Sequence, residues 1–133
     1  MKYPIEAIAT AAAPTPAGHY AQAVAWGDLV FVSGQLPVRA DGTLGADQPF
    51  ESQVRQTLAN VLAILEAAGS GPDGVLKVTA YIVGVENWPA FNAIYAEVFG
   101  AARPARAVVP VPSLHHGYLI EIEATAVRGA QTS

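Results

Sequence analysis

The spacing of apolar residues along this 133-residue chain changes from the period of a β-strand to the longer period of a helix and back again. In the middle of the chain, one helical face carries Val54, Leu58, Val61, Leu62 and Leu65. Pro49 before this stripe and Gly69 after it are residue types typical of a helix start and a helix end. The pattern therefore predicts a helix of about five turns between them.

The same reasoning predicts the other elements. A second helix is predicted over 87–100, where one stripe carries Phe91, Ile94, Tyr95 and Val98. Strands are predicted at 5–9, on both sides of the Gly27-Asp28 turn, and within 75–85, 106–114 and 118–127. The Ala- and Pro-rich stretch 10–18 between the first two strands reads as an extended arm.

The order of these elements predicts the fold class. Alternation within 75–85 places Leu76 and Val78 on one face of their strand. Helices with one or two apolar stripes suit one face of a mixed sheet. We therefore expect a single α+β domain over 1–133, with a sheet of about six strands and two helices on one face.

Composition bounds the partners of the chain. Hydrophobic residues make up 52% of it and charged residues 14%, against a usual charged share of about 25%, so we expect a homo-oligomer. The net charge is −4 and the basic residues are scattered, which is not the footprint of a nucleic-acid-binding surface. The chain has no cysteine, and neither a targeting segment nor a membrane span is evident. These features predict a cytoplasmic protein without nucleic-acid or membrane partners.

Arg106 lies where the chain turns apolar. On a strand it shares a face with Val108 and Pro110, while Glu121 and Glu123 share one face of the last strand. By pattern alone, an Arg–Glu ion pair on the solvent face of the sheet is the favoured interpretation. Two prolines in and before the Arg106 strand instead indicate an edge strand beside a cleft, where an arginine can bind an anion.

Other candidate groups carry weaker signals. His115 and His116 are adjacent, and sequential side chains of a strand point apart, so we expect two solvated imidazoles rather than a metal site. His19 lacks a partner in the sequence pattern. Ser33-Gly34 lacks the flanking glycines of a nucleophile elbow, which argues against acyl transfer.

Five separated segments nevertheless resemble one family in order. They are SGQLPV (33–38), VRQTLANVLAILEAAG (54–69), VTAYIVGVENWPAFNAIYAEVF (78–99), RPAR (103–106) and IEIEATAV (120–127). Together they are similar to the RidA, or YjgF-like, enamine/imine deaminases. The resemblance implies a chorismate-mutase-like fold, a homotrimer with a central barrel, and active sites in the clefts between subunits.

The resemblance also implies roles for individual residues. Arg106 would bind the substrate carboxylate, Glu121 would position water, and Tyr20 would complete the catalytic group. The substrate-binding positions would be Arg106, Gly34, Asn92 and Val108, with Val108 replacing a common cysteine. His19 replaces a proline often found before the tyrosine.

The implied reaction is hydrolysis of a 2-enamino or 2-imino acid, such as 2-aminoacrylate, to a 2-oxo acid and ammonia. It calls for neither a metal nor an organic cofactor. Alternatives are another enamine, such as 2-aminomuconate, or a non-catalytic module that binds small carboxylates. An RNA-directed activity is the least favoured, because the charge pattern opposes it.

Overall fold

The computed structural model describes residues 2–129, which form a six-stranded sheet with two helices packed on one face. The strands are β1 (Ile5–Ile8), β2 (Ala23–Trp26), β3 (Leu29–Gln35), β4 (Val75–Val83), β5 (Ala105–Val111) and β6 (Ile120–Val127). The helices are α1 (Phe50–Ala67) and α2 (Trp88–Phe99). Single 3₁₀ turns lie at Pro72–Gly74, Val85–Asn87 and His115–Gly117. The α+β class, the six strands and the order of elements confirm the sequence prediction.

The strands lie in the order β1-β2-β3-β6-β4-β5. Every neighbouring pair is antiparallel except β4 and β5, which are parallel and are connected through α2. A parallel pair requires such a crossover connection. β5 is the last strand in this order, which confirms the edge strand that Pro104 and Pro110 predicted, while the anion-binding cleft beside it stays a prediction.

Helix α1 begins and ends close to the predicted residues. Pro49 directly precedes its first residue, and Gly69 adopts a φ of 84°, which a residue with a side chain rarely takes. The Ser70 N–H donates to the carbonyl of Leu65 at 2.8 Å and satisfies one of the last helical acceptors. Four residues of the predicted stripe are buried, and Leu62 is half-buried against the core.

Alternate residues of the central strands face the helices and are buried. They are Val30 and Val32 of β3, Val78, Ala80 and Ile82 of β4, and Ile120, Ile122, Ala124 and Ala126 of β6. Leu76 does not join them, and its predicted place beside Val78 is wrong. The register of β4 shifts between Val75 and Lys77, and this irregularity leaves Leu76 47% exposed.

The opposite face of the sheet keeps large apolar side chains in solvent. Trp26, Phe31 and Val109 are each exposed by more than a third of their surface. We call this surface the outer face. Exposed apolar area of this kind is typical of a contact between subunits. It agrees with the predicted homo-oligomer, which stays a prediction. Among residues 2–129, neither helix is long and apolar enough to cross a membrane.

Candidate functional site

A cleft of about 400 Å³ opens beside β3 and β6. One wall is the arm segment 14–17, the second is the loop 36–44, and the third is the turn that carries His115 and His116. Tyr20, Gly34 and Glu121 line the same cleft. Three of the residues singled out from the sequence are therefore brought together within one chain.

Glu121 reaches the cleft from the outer face of β6. Its neighbours Ile120 and Ile122 point to the helices and are fully buried, so the glutamate between them points the other way. Burial raises the pKa of the Glu121 carboxyl, the Glu123 charge raises it further, and His115 acts in the opposite direction. A carboxylate with a raised pKa is a stronger base, which suits proton exchange with water.

Gly34 provides the space that the Glu121 carboxylate occupies. It lies where the pairing of β3 with β6 is irregular, between Val32 and Gln35. A Cβ atom built on Gly34 would lie 2.9 Å from Glu121 Oε2, closer than real Cβ contacts. Any side chain at position 34 would therefore move the carboxylate.

Tyr20 lines the cleft from the end of the arm. Its side chain is about half exposed. The Tyr20 N–H donates to the Gly18 carbonyl at 3.1 Å, and a Cβ on Gly18 would lie 3.3 Å from the tyrosine ring. A side chain at residue 18 would therefore press on the Tyr20 ring and require it to shift.

Arg106 lies elsewhere, on the helix side of β5. One guanidinium nitrogen donates to Asn92 Oδ1 at 2.9 Å. The guanidinium carbon lies 4.8 Å from the centre of the Tyr95 ring and 5.6 Å from that of Phe91. Asn92 and two aromatic rings of α2 thus hold the cation at the edge of the sheet.

The ion pair that the pattern favoured is absent. The two ion pairs within residues 2–129 join Arg55 to Glu97 and Arg128 to Glu6. Arg106 pairs in register with Val78, whose side chain is buried under the helices, whereas Glu121 pairs with Tyr81 on the outer face. The cation and the carboxylate therefore lie on opposite faces of one sheet.

The sequence-derived residues accordingly divide into two groups. Tyr20, Gly34 and Glu121 line the cleft. The second group consists of Arg106, Asn92 and Val108 on the helix side of β5 and in α2, and none of the three lines this cleft. The substrate-binding role of Val108 therefore stays a prediction, because this residue does not line the cleft of a single chain.

The two adjacent histidines differ from expectation. Both are exposed, but they do not point apart: their ring centres are 3.8 Å apart, and both rings line the cleft. His19 is not among the lining residues. No group of three His, Asp or Glu side chains in the described part of the chain could hold a metal ion.

Two buried amides hold the apolar walls of the cleft, and the sequence reasoning missed both. Gln22 is 3% exposed, and its side-chain nitrogen donates to the carbonyls of Ala13 and Pro14 in the arm. The Asn60 nitrogen donates to the carbonyls of Leu36 and Val38 at 3.1 and 2.8 Å. No sequence signal singles out Asn60, because α1 carries many polar residues and two others, Gln53 and Thr57, are buried as well.

The sequence was compared with known families and proteins. A family model described as endoribonuclease L-PSP matches residues 10–128. A RutC family protein of Pyrococcus horikoshii is 42% identical over 123 residues, which cover 92% of this chain and 98% of that protein. The 2-iminobutanoate/2-iminopropanoate deaminase of Salmonella typhimurium is 42% identical over 125 residues, which cover 91% of this chain and 96% of the deaminase.

The fold was compared with solved structures. The crystal structure of the YjgF gene product from E. coli superposes with a TM-score of 0.85 at 38% sequence identity. That match covers 93% of this chain and 99% of the other. The similarity thus extends over the cleft, the edge strand β5 and both helices.

Proposed function

Because this chain belongs to the YjgF/RutC/RidA family, the family of the endoribonuclease L-PSP model, we propose that it hydrolyses 2-enamino or 2-imino acids to 2-oxo acids and ammonia. The similar deaminase from Salmonella supports this reaction class. The observation that carries the proposal is the Glu121 carboxylate, half-buried in the cleft and held against Gly34. We take 2-aminoacrylate as the representative substrate.

The cleft can supply the proton transfer and part of the substrate contacts that this reaction needs. The carbon of an imine is electrophilic, so the protein has to hold the substrate, position a water and move protons. Glu121 accepts a proton from the attacking water, and its raised pKa favours this transfer. Tyr20 and the backbone beside Gly34 contact the bound substrate in this proposal.

The substrate carboxylate needs a cation, and we assign it to Arg106 of a second copy of the chain. A guanidinium is permanently charged and can hold a carboxylate through two parallel hydrogen bonds. Arg106 cannot reach Glu121 through the sheet that separates them. A homotrimer that seats the β5 edge of one subunit against the cleft of the next would join the two halves, with Asn92 orienting Arg106 and Val108 beside it.

The alternatives differ from the deaminase in what they predict. A non-catalytic module would bind a 2-oxo acid through Arg106 without accelerating hydrolysis. Nothing in the distribution of basic residues favours RNA as the ligand. We retain the deaminase because the base, the cleft and the similar enzyme agree.

The first test is ammonia release from a serine or threonine dehydratase reaction to which the protein is added. The wild type should accelerate hydrolysis of the released enamine. Arg106→Ala should abolish this gain and Arg106→Lys should remove most of it, because an ammonium lacks the planar fork. A wild type that adds nothing to the buffer rate would contradict the proposal, and 2-oxo acid binding without turnover would favour the binding module.

Mixed assemblies test whether the two halves come from different subunits. In this proposal the Arg106→Ala chain and the Glu121→Gln chain are each inactive alone. In the experiment, equal amounts of the two chains are unfolded together and refolded as a mixture. Sites shared between subunits regain about one quarter of the wild-type activity, because random neighbours pair an intact Arg106 with an intact Glu121 that often. Sites built within one chain would regain none.

A further inference from the structure

The turn before β6 holds a strained backbone that brings two imidazoles together. His116 has a φ of 60°, and among the described residues it is the one non-glycine residue with a positive φ. A non-glycine residue in this region is uncommon, although histidine adopts it more often than most residue types, and such backbone concentrates at functional sites. Its consequence here is that the rings of His115 and His116 face each other with their centres 3.8 Å apart.

The turn is also well anchored. The Gly117 N–H donates to the Leu114 carbonyl at 3.1 Å, and the Tyr118 N–H donates to His115 at 3.3 Å. Tyr118 is 1% exposed, and its hydroxyl accepts a hydrogen bond from the Gly45 N–H across the cleft wall. The His116 ring stands edge-on to the Tyr118 ring at 6.2 Å. The His116 ring therefore contacts a buried residue beside the cleft, although both imidazoles are exposed.

We propose that His115 is the proton donor to the substrate nitrogen, and that His116 is a positioning residue that holds the His115 ring towards the cleft. The proposal rests on the deaminase function proposed above. It stands on three observations: both rings line the cleft of Glu121, they contact each other, and the backbone is strained to bring them there. The electrostatic effect of His115 on Glu121 agrees with their proximity.

The chemistry of imine hydrolysis leaves a role for such a donor. Arg106 does not supply this proton, because a guanidinium in a protein is not deprotonated. Glu121 must be ionised to accept a proton from water, so it cannot protonate the nitrogen in the same step. Histidine is the side chain whose ordinary pKa allows both protonation states near neutral pH.

The proton transfers balance over two steps. In the addition, water bonds to the imine carbon, Glu121 takes one water proton, and the His115 imidazolium protonates the nitrogen to give a carbinolamine. In the collapse, Glu121 returns its proton to the amine, and the C–N bond breaks with its electron pair on nitrogen. Neutral His115 then takes the hydroxyl proton, so ammonia and the 2-oxo acid leave and both residues are restored.

Several groups face the His115–His116 pair across the cleft. Glu121 comes from β6, Asp41 from the loop 36–44 and Tyr20 from the arm, while Tyr118 packs beside His116. Glu121 and Asp41 are the two acidic residues among them. Because Glu121 must be ionised and His115 protonated, activity should rise with pH through the Glu121 pKa and fall through the histidine pKa.

The test measures the rate of 2-oxo acid formation against pH, with 2-iminopropanoate generated from alanine by an excess of an amino-acid oxidase. His115→Gln should lower the rate about 100-fold and remove the fall on the alkaline side. His116→Asn keeps a residue that tolerates a positive φ, so it should leave the melting temperature unchanged while shifting the alkaline limb. His19→Gln is the matched control, and its rate and profile should equal those of the wild type.

The possible outcomes distinguish a failure of this inference from a failure of the proposed deaminase function. If His115→Gln keeps the wild-type profile and a rate within about twofold, the histidine role is wrong and the deaminase stands. If the wild type shows no rate above that of buffer, the proposed function fails and this inference fails with it. A fall in rate for His19→Gln equal to that for His115→Gln would also overturn the inference.

Discussion

Gly34 shows how an absent side chain can determine the position of a neighbouring carboxylate. The irregular pairing of β3 and β6 brings the backbone at this residue against the Glu121 carboxylate. Glycine is needed at this position for the space that it leaves and not for its backbone conformation, because the φ of Gly34 is not positive. The carboxylate position is therefore set jointly by two strands.

Gly34→Ala should lower the deaminase rate at least about tenfold, because a displacement of the carboxylate disturbs the geometry of proton transfer. The free energy of unfolding should change little, since the carboxylate lies at the end of a flexible side chain. Gly71→Ala is the matched control: residue 71 is extended, and a Cβ there meets no atom within 4 Å. Equal rates for the two variants, measured by ammonia release, would contradict this account.

The sequence allowed some of these residues to be predicted and not others. Tyr20, Gly34 and Glu121 follow from the family resemblance, and the structure places them in one cleft. The conformation of His116 could not be predicted, because alternation assumes regular strand backbone and this residue has a positive φ. A buried amide such as Gln22 is equally hidden, since its partners are backbone carbonyls that carry no sequence signal.

At the scale of elements, the arm 10–17 is a wall without regular secondary structure. Its backbone is held by one side chain: the Thr10 N–H donates to Gln22 Oε1 at 2.7 Å, and Gln22 Nε2 donates to the carbonyls of Thr10, Ala13 and Pro14. An irregular segment needs such hydrogen bonds because its backbone N–H and C=O groups are not paired within a helix or a β-sheet. The shape of this side of the cleft depends on Gln22.

Gln22→Ala should therefore destabilise the protein by about 1–3 kcal/mol, the usual cost of leaving buried polar groups without partners. Amide hydrogen exchange should accelerate across 10–17 before the rest of the chain responds. Gln48→Ala removes an exposed side chain of the same type and should change neither measurement. Unchanged exchange in the arm of Gln22→Ala would show that other contacts hold it.

The apolar periodicity predicted where the helices and strands lie. It predicted which face of a strand is buried only where the strand is regular. The helix stripes and the alternation of β6 were confirmed because each repeats over several residues. Leu76 was misplaced because the register shift beside it reverses the alternation. The relation of Arg106 to Glu121 could not be predicted, because the register between three strands decides which face each one occupies.

At the scale of the whole molecule, the outer face of the sheet exposes several large apolar side chains. Phe31 is 43% exposed in the middle of this face, and Trp26 lies 41% exposed on the neighbouring strand. Burying such surface against other copies of the chain would be favourable by roughly 25 cal/mol for each Å² removed from water. The low charged fraction of the sequence has the same implication.

Phe31→Glu should therefore dissociate the assembly. Burying an unpaired carboxylate in the contact costs far more free energy than burial of the phenyl ring contributes in the wild type. Sedimentation velocity should show the wild type as an oligomer and the variant as a monomer. Val85→Glu changes a more exposed apolar residue, 60% exposed and outside the sheet, and should leave the mass unchanged. A monomeric wild type, or a Phe31→Glu protein of wild-type mass, would contradict the predicted contact.

The placement of Arg106 and Glu121 on opposite sides of one sheet has a further consequence. If both residues act on the same substrate molecule, a solitary chain has no turnover, and the rate per chain must decline on dilution below the dissociation constant of the assembly. The total rate would then fall more steeply than the amount of protein, since halving the amount of protein lowers both the number of chains and the share of chains that have a partner.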